Sequence, residues 1–205
     1  MYHAPTRWGV TVTFPTSDRA AVKAMVCRLT GGDDADYDSW CREARRLEPC
    51  PYNTTEDERI ALQIYTSTDA QWYERINREL RELNPGDDVR FFAQLLNEAL
   101  EKLPRFEGQV YRGMTVPDLD IHINDYEIDV IVPWAAFTSS SRDITKAFEG
   151  NVLFIITSQN GRVLGGYADK PAEEEVLFCS GCSFRVLAAE RRDGLLIISV
   201  AEATQ

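Results

Sequence analysis

No run of apolar residues in this 205-residue chain approaches the length of a membrane span, so nothing in it reads as a transmembrane helix. Met1-Tyr2-His3-Ala4-Pro5 does not open a secretory signal, and the expectation is a cytoplasmic protein. Positive charge is in deficit. A net charge of −11 argues against a protein that tracks nucleic-acid phosphates or sits on an anionic membrane, and is compatible with a basic protein partner. There is no internal repeat and no low-complexity segment. There is also no Gly-x-Gly-x-x-Gly after a strand, which leaves a Rossmann dehydrogenase without support. Cysteine is sparse and odd in number (Cys27, Cys41, Cys50, Cys179 and Cys182), a poor fit to a complete disulfide framework. Cys179-Ser180-Gly181-Cys182 has the spacing of half a zinc site, but Cys41 and Cys50 are too widely spaced to make a second close pair, so no metal is expected. Free thiols in a reducing compartment are expected, with a Cys179–Cys182 or Cys41–Cys50 disulfide as the alternative in a secreted setting.

What is present is an ordinary globular composition, 44% apolar and 27% charged, on a chain long enough for one substantial core. Residues 1–55 carry the weakest pattern: Val10 to Phe14 suggests a strand, Ala20 to Leu29 a helix, and Gly31-Gly32-Asp33-Asp34 a loop. From Glu56 the pattern turns helical. Asp69 is a candidate cap for a helix with Trp72, Ile76, Leu80 and Leu83 on one face, stopped by Asn84-Pro85-Gly86. Asp87 or Asp88 would cap the next helix, which buries Phe92, Leu95, Leu96, Ala99 and Leu103 and ends before Pro104. After Pro104 the period becomes that of strands, expected at 109–113, 126–132, 136–139, 152–157, 162–164, 175–179, 184–189 and 195–200. Asp193-Gly194 is the hairpin turn between the last two. Helices first and strands later define an α+β class: one domain, with 1–104 mainly a helical lobe and 105–205 a β core.

Three stretches of the β half carry chemistry. Glu173-Glu174-Glu175 runs directly into Val176-Leu177-Phe178. In an extended strand Glu173 and Glu175 would share a face while Glu174 points the other way. Two carboxylates in one space repel, which costs stability unless a cation or a reaction needs them. The plain alternative is a solvated acidic turn. Val110-Tyr111-Arg112-Gly113 reads as a strand bearing an arginine, with a glycine that lets a ligand approach the backbone. Phe137-Thr138-Ser139-Ser140-Ser141 reads as an aromatic anchor and a hydroxyl cluster, for which loop capping is the ordinary explanation.

In that order, an arginine strand, a hydroxyl strand and a paired-glutamate strand resemble the arginine–serine–glutamate class of mono-ADP-ribosyltransferases, from about Ile60 to Leu187. Tyr111-Arg112-Gly113, Gly150-Asn151-Val152-Leu153-Phe154 and Glu173-Glu174-Glu175-Val176-Leu177-Phe178 are similar to its eukaryotic arginine-modifying branch. The resemblance implies two packed, roughly perpendicular sheets with NAD lying in the cleft. It also implies NAD as substrate, no metal, and a protein acceptor modified on arginine, with the chain acting as a monomer. The related histidine–tyrosine–glutamate class needs a histidine in the first motif strand; only His3 and His122 occur, and neither lies there.

Residue by residue, the resemblance assigns Glu175 to the ribose 2′-hydroxyl and to the positive charge that develops at the anomeric carbon. Ser139 would hold that glutamate, and Ser140, which stands where threonine is usual, would join Ser139 among the NAD contacts. Arg112 suits a pyrophosphate because its planar fork matches phosphate oxygens, with a salt bridge at the core edge as the alternative. Gly113 would offer backbone groups to the nicotinamide amide. Phe148 would pack on the nicotinamide ring or else belong to the core. Some bacterial members carry a phosphate-binding arginine shortly after that aromatic; this chain has Asn151 in that stretch. Glu173 would align the acceptor guanidinium and take its proton. An NAD glycohydrolase would use the same residues, and a catalytically inactive interaction module is the third reading.

Overall fold

The computed structural model describes residues 13–47, 51–68, 71–147, 149–168, 172 and 174–203. His3, Cys50, Asp69, Phe148, Glu173 and most of the strand expected at Val10 to Phe14 lie outside the described residues. The chain divides into two compact units, Met1–Leu103 with Gly166–Lys170, and Pro104–Gly165 with Pro171–Gln205.

The first unit is helical: α1 Arg19–Thr30, α2 Asp34–Arg46, α3 Glu56–Thr66, α4 Trp72–Leu80 and α5 Asp87–Lys102. Local capping explains the starts. Asp18 accepts from the backbone N–H groups of Ala20 and Ala21. Asp33 with Asp36, and Thr55 with Glu58, close reciprocal capping boxes on α2 and α3. Gly31, at φ 70°, ends α1 in the left-handed region that glycine adopts without strain. The sequence pattern did not reveal α2, because only Tyr37, Cys41 and Ala44 of its thirteen residues are buried. By contrast α3 is covered nearly all round. Its buried Arg59 donates to the carbonyls of Ala44 at 2.9 Å and Thr54 at 2.7 Å, and buried Glu58 meets Lys102 Nζ at 2.7 Å. Two boundary expectations are corrected. α4 stops at Leu80, so Leu83 is 89% exposed rather than on the buried face, and α5 is preceded by Gly86 as its cap while Asp87 is its first residue.

The second unit holds β1 Arg105–Met114, α6 Leu119–Ile123, β2 Ile131–Trp134, β3 Thr138–Ser141, β4 Val152–Val163, β5 Glu175–Phe178, β6 Cys182–Arg192 and β7 Leu195–Glu202. The α+β class holds. The strands form one hydrogen-bonded network of order β1-β3-β5-β4-β7-β6-β2, with β1 also paired to β4. The two expected sheets are thus continuous, because β4 takes part in both. It pairs with β7 in parallel from Val152 to Thr157, and with β5 at Arg162 and Val163. The expected separate strand at 162–164 is the end of this long β4. The expected strand at 126–132 shrinks to a start at Ile131, since Asp129 has φ 67° and Val130 closes a turn on Glu127. Asp193 and Gly194, at φ 52° and 83°, form the hairpin between β6 and β7, matching the turn chemistry.

The core of this unit is built from the inward residues of β4, β6 and β7, including Phe154, Ile156, Phe184, Val186, Leu196, Ile198 and Val200, with Val110 and Phe178. Two glycines allow close packing where strands meet. A Cβ on Gly150 would lie 2.2 Å from the Met114 carbonyl oxygen, and one on Gly161 would lie 2.6 Å from Val176 Cγ1. No helix among the described residues is long and apolar enough to cross a membrane.

Candidate active site

Three strands bring Arg112, Ser139, Ser140 and Glu175 to one place, all within the β unit. Tyr111 of β1 is registered with Ser141 of β3, and Ser141 with Glu175 of β5. Directly opposed residues share a face, so Tyr111, Ser141 and Glu175 make a row across three neighbouring strands. Ser139 lies two residues along β3, opposite Leu177, and is therefore a diagonal neighbour of Glu175 on the same face. Arg112 donates from Nη1 to the Ser139 carbonyl at 2.7 Å. That bond fixes the guanidinium beside the hydroxyl strand, at the wall of the cleft that it lines. A narrow cleft of about 10 Å³ is lined by Tyr111, Arg112, Ser139, Ser140, Ser141, Lys146, Ala147 and Glu175. Ala147 also borders an adjoining open depression of about 450 Å³, with Gly113, Ile144, Glu149, Gly150, Val152, Leu153 and Leu195.

The three serines have different tasks. Ser140 is buried and donates its hydroxyl proton to the Val176 carbonyl at 2.7 Å, fastening β3 to β5. Expected among the cofactor contacts, it has its proton committed to the sheet. Ser141 accepts from the Asp143 N–H at 3.1 Å, shaping the chain that leaves β3. Asn151, in the stretch where some relatives carry a phosphate-binding arginine, has both ends of its amide engaged. Its Oδ1 accepts from the Val116 N–H at 2.9 Å, and its Nδ2 donates to the Val116 carbonyl at 2.8 Å. It is a strut of the loop after β1.

Lys146 was not singled out from the sequence. It lies in a short 3-10 turn, Ile144–Lys146, where no periodic pattern marks a functional side. Its position two residues before Phe148, where the resemblance places an aromatic against nicotinamide, was the available signal. In the fold its side chain borders the cleft.

The extended backbone expected at Glu174 is corrected. β5 begins at Glu175, and Glu174 has φ 53°, a left-handed conformation that ends the pleat. Glu174 itself is committed to cations: Lys146 Nζ lies 2.7 Å from Oε1, and Arg142 Nη2 lies 3.4 Å from Oε2. The Lys146 hydrogen bond holds its carboxyl below the usual range. Of the three adjacent glutamates, the middle one is thus neutralised locally, while Glu175 faces the cleft.

The four described cysteines, Cys27, Cys41, Cys179 and Cys182, are free thiols, and burial pushes Cys182 well up from its ordinary value. Among the described residues, no group of three or more His, Cys, Asp or Glu could hold a metal ion.

The NAD:arginine ADP-ribosyltransferase family matches residues 28–205. Mav of Mycobacterium avium (strain 104), placed by its name among the NAD–arginine ADP-ribosyltransferases, is 36% identical over 180 residues, covering 84% of this chain and 20% of Mav. The NAD–protein-arginine ADP-ribosyltransferase Tre1 of Pseudomonas putida (strain GB-1) is 32% identical over 157 residues, 73% of this chain and 31% of Tre1. The chain therefore spans between a fifth and a third of the length of these two curated relatives. The ADP-ribosyltransferase HopU1 of Pseudomonas syringae pv. tomato DC3000 shares the fold at a TM-score of 0.71, with 20% identity, covering 89% of this chain and 97% of the HopU1 chain. Arginine on β1, serines on β3 and glutamate on β5 meet in one cleft within the matched residues, and the chain belongs to the NAD:arginine ADP-ribosyltransferase family.

Proposed function

We propose that this chain transfers ADP-ribose from NAD to arginine side chains of protein acceptors and releases nicotinamide. The observation that carries this reading is the convergence of Arg112, the β3 serines and Glu175 on one cleft. Arg112 lines that cleft, and its planar fork suits a pyrophosphate, while Lys146 on the same rim is engaged by Glu174. Gly113, on the rim of the adjoining depression, offers backbone where a flat amide-bearing ring would lie. Phe148 keeps its assignment against that ring.

The reaction breaks the bond between the anomeric carbon and the nicotinamide nitrogen. The electron pair leaves with nicotinamide, which departs neutral, and positive charge builds on the ribose. Glu175 accepts a hydrogen bond from the ribose 2′-hydroxyl and stabilises that charge electrostatically. Ser139 and Ser141 flank it from β3. A guanidinium nitrogen of the acceptor then bonds to the anomeric carbon and loses a proton. Since a guanidinium has a pKa above about 12, it needs a carboxylate to align it and take that proton, and Glu173 is assigned the task. No metal enters these steps. An intracellular site of action accords with the free thiols. A monomer suffices, because every residue assigned a role comes from one chain.

Incubation with labelled NAD and an arginine-rich acceptor, followed by mass spectrometry of the modified residue, tests the reading. Label on arginine supports it. Free ADP-ribose alone would make the protein an NAD glycohydrolase, and intact NAD would make it an inactive interaction module.

A further inference from the structure

We infer that Arg142 is a self-modification site: its guanidinium takes ADP-ribose from NAD bound in the same chain, and the attached group then closes the cleft. The inference rests on the proposed transferase reaction and adds an acceptor within the chain itself.

An internal acceptor must be an arginine that is exposed, close to Glu175 and not already assigned to NAD. In the β unit, Arg112 lines the cleft and is assigned to the pyrophosphate, and Arg162 is buried. Arg105 opens β1, roughly 23 Å along the strand from Arg112. Arg185, Arg191 and Arg192 all lie on β6, separated from β5 by β4 and β7. Arg142 is the arginine of this unit that meets all three conditions. It follows Ser141, which is registered with Glu175. Opposed residues in a sheet have Cα atoms about 5 Å apart and chain neighbours about 3.8 Å. The Cα atoms of Arg142 and Glu175 therefore lie within roughly 9 Å, a span the two side chains together cover.

The Arg142 side chain is 39% exposed, with Nη2 3.4 Å from a Glu174 carboxylate oxygen and Cζ 6.0 Å from the centre of the Phe106 ring. The same carboxylate meets Lys146 Nζ at 2.7 Å, and Lys146 lines the cleft. The guanidinium thus stands one ion pair back from the cleft wall. It is held there lightly, because an exposed pair at this separation contributes little. Lys146 keeps Glu174 neutralised when Arg142 turns, so a change of side-chain torsions carries the guanidinium to the cleft side of the carboxylate without baring a charge. Glu174 then orients the fork and takes its proton. The step balances as for an external arginine. A guanidinium nitrogen bonds to the anomeric carbon, the electron pair of the broken bond leaves with nicotinamide, and the released proton goes to Glu174. The product is a diphosphate tethered beside Ser141, within reach of Arg112 and Lys146. An occupant held at such a high effective concentration excludes the next NAD.

The test incubates the purified protein with labelled NAD and no acceptor, at several protein concentrations, and maps the labelled residue by peptide mass spectrometry. Label should appear on Arg142 with a first-order rate constant independent of protein concentration. A second arm follows modification of an arginine-rich peptide by the wild type and by Arg142→Lys, with melting of both. The lysine keeps the charge and the Glu174 pair but presents no guanidinium. Both proteins should start at the same rate. The wild type should then slow at least roughly tenfold as Arg142 fills, whereas the variant should hold its rate until NAD is depleted. A peptide modified while Arg142 stays bare, or an Arg142 rate constant that rises with protein concentration, would overturn the inference and leave the transferase reading standing. Full peptide activity in protein labelled to completion at Arg142 would do the same. A protein that labels neither itself nor the peptide would overturn the transferase reading and this inference with it.

Discussion

Replacing Arg112 with lysine keeps one positive charge at the cleft and removes the fork. In the folded protein one arm of the guanidinium already donates to the Ser139 carbonyl at 2.7 Å, which orients the fork at the cleft that it lines. A lysine ammonium is a single point. It can meet either that carbonyl or a phosphate oxygen with good geometry, so at least one charge-assisted hydrogen bond is lost. Such a bond contributes roughly 1.5–3 kcal/mol. At about 1.4 kcal/mol per factor of ten, NAD should bind roughly 10- to 150-fold more weakly. The backbone of residue 112 remains paired with Phe154 of β4 in the variant, so melting should change little. Isothermal titration with NAD is the assay, run in a Glu175→Gln background so that NAD is not consumed. An unchanged dissociation constant would refute the reasoning and make the Ser139 contact a purely structural one, with the phosphate partner elsewhere.

Glu175→Gln should lower kcat for nicotinamide release by roughly 100- to 1,000-fold, the range for losing one preorganised electrostatic contact, while NAD affinity and melting stay close to wild type. Near-normal turnover in the folded variant would sink the assignment. Glu173→Gln should lose arginine modification and retain NAD hydrolysis, measured as ADP-ribose release, because the cleavage residues are untouched; hydrolysis lost in parallel would deny Glu173 a separate role. In the helical unit, burial pushes Glu56 up, but hydrogen bonds from Arg19, Arg45 and Cys41 outweigh it and hold the carboxyl at about 2. A depressed folded pKa stabilises above the unfolded value near 4.5 and loses that contribution as pH falls toward 2. Urea denaturation should therefore show Glu56→Gln less stable than wild type at pH 7, with the gap closing between about pH 4.5 and 2; a gap independent of pH would assign the effect to packing.

Much of this protein was written in local patterns. The strands after Pro104, the Asp193-Gly194 hairpin and the buried stripe of α5 follow from periodicity and turn chemistry, because those depend on residues close in sequence. The three motif strands, with Arg112, Ser139 and Glu175, were legible for a related reason, since each motif is a short word and their order in the chain is preserved. Other features depended on long-range contacts. Nothing local marks α2 as a helix with only three buried residues, and only the nearness of Phe148 in sequence hints that Lys146 will border the cleft. Ser140 and Asn151 look like ligand groups in isolation, yet carbonyls 35 or more residues away claim their donors. The left-handed turn at Glu174 is the sharpest case. Sequence reasoning extends a strand through Glu173-Glu174-Glu175 because alternation is the default for extended backbone. Only the folded chain, by bringing Arg142 and Lys146 against the middle carboxylate, can stabilise the conformation that breaks it.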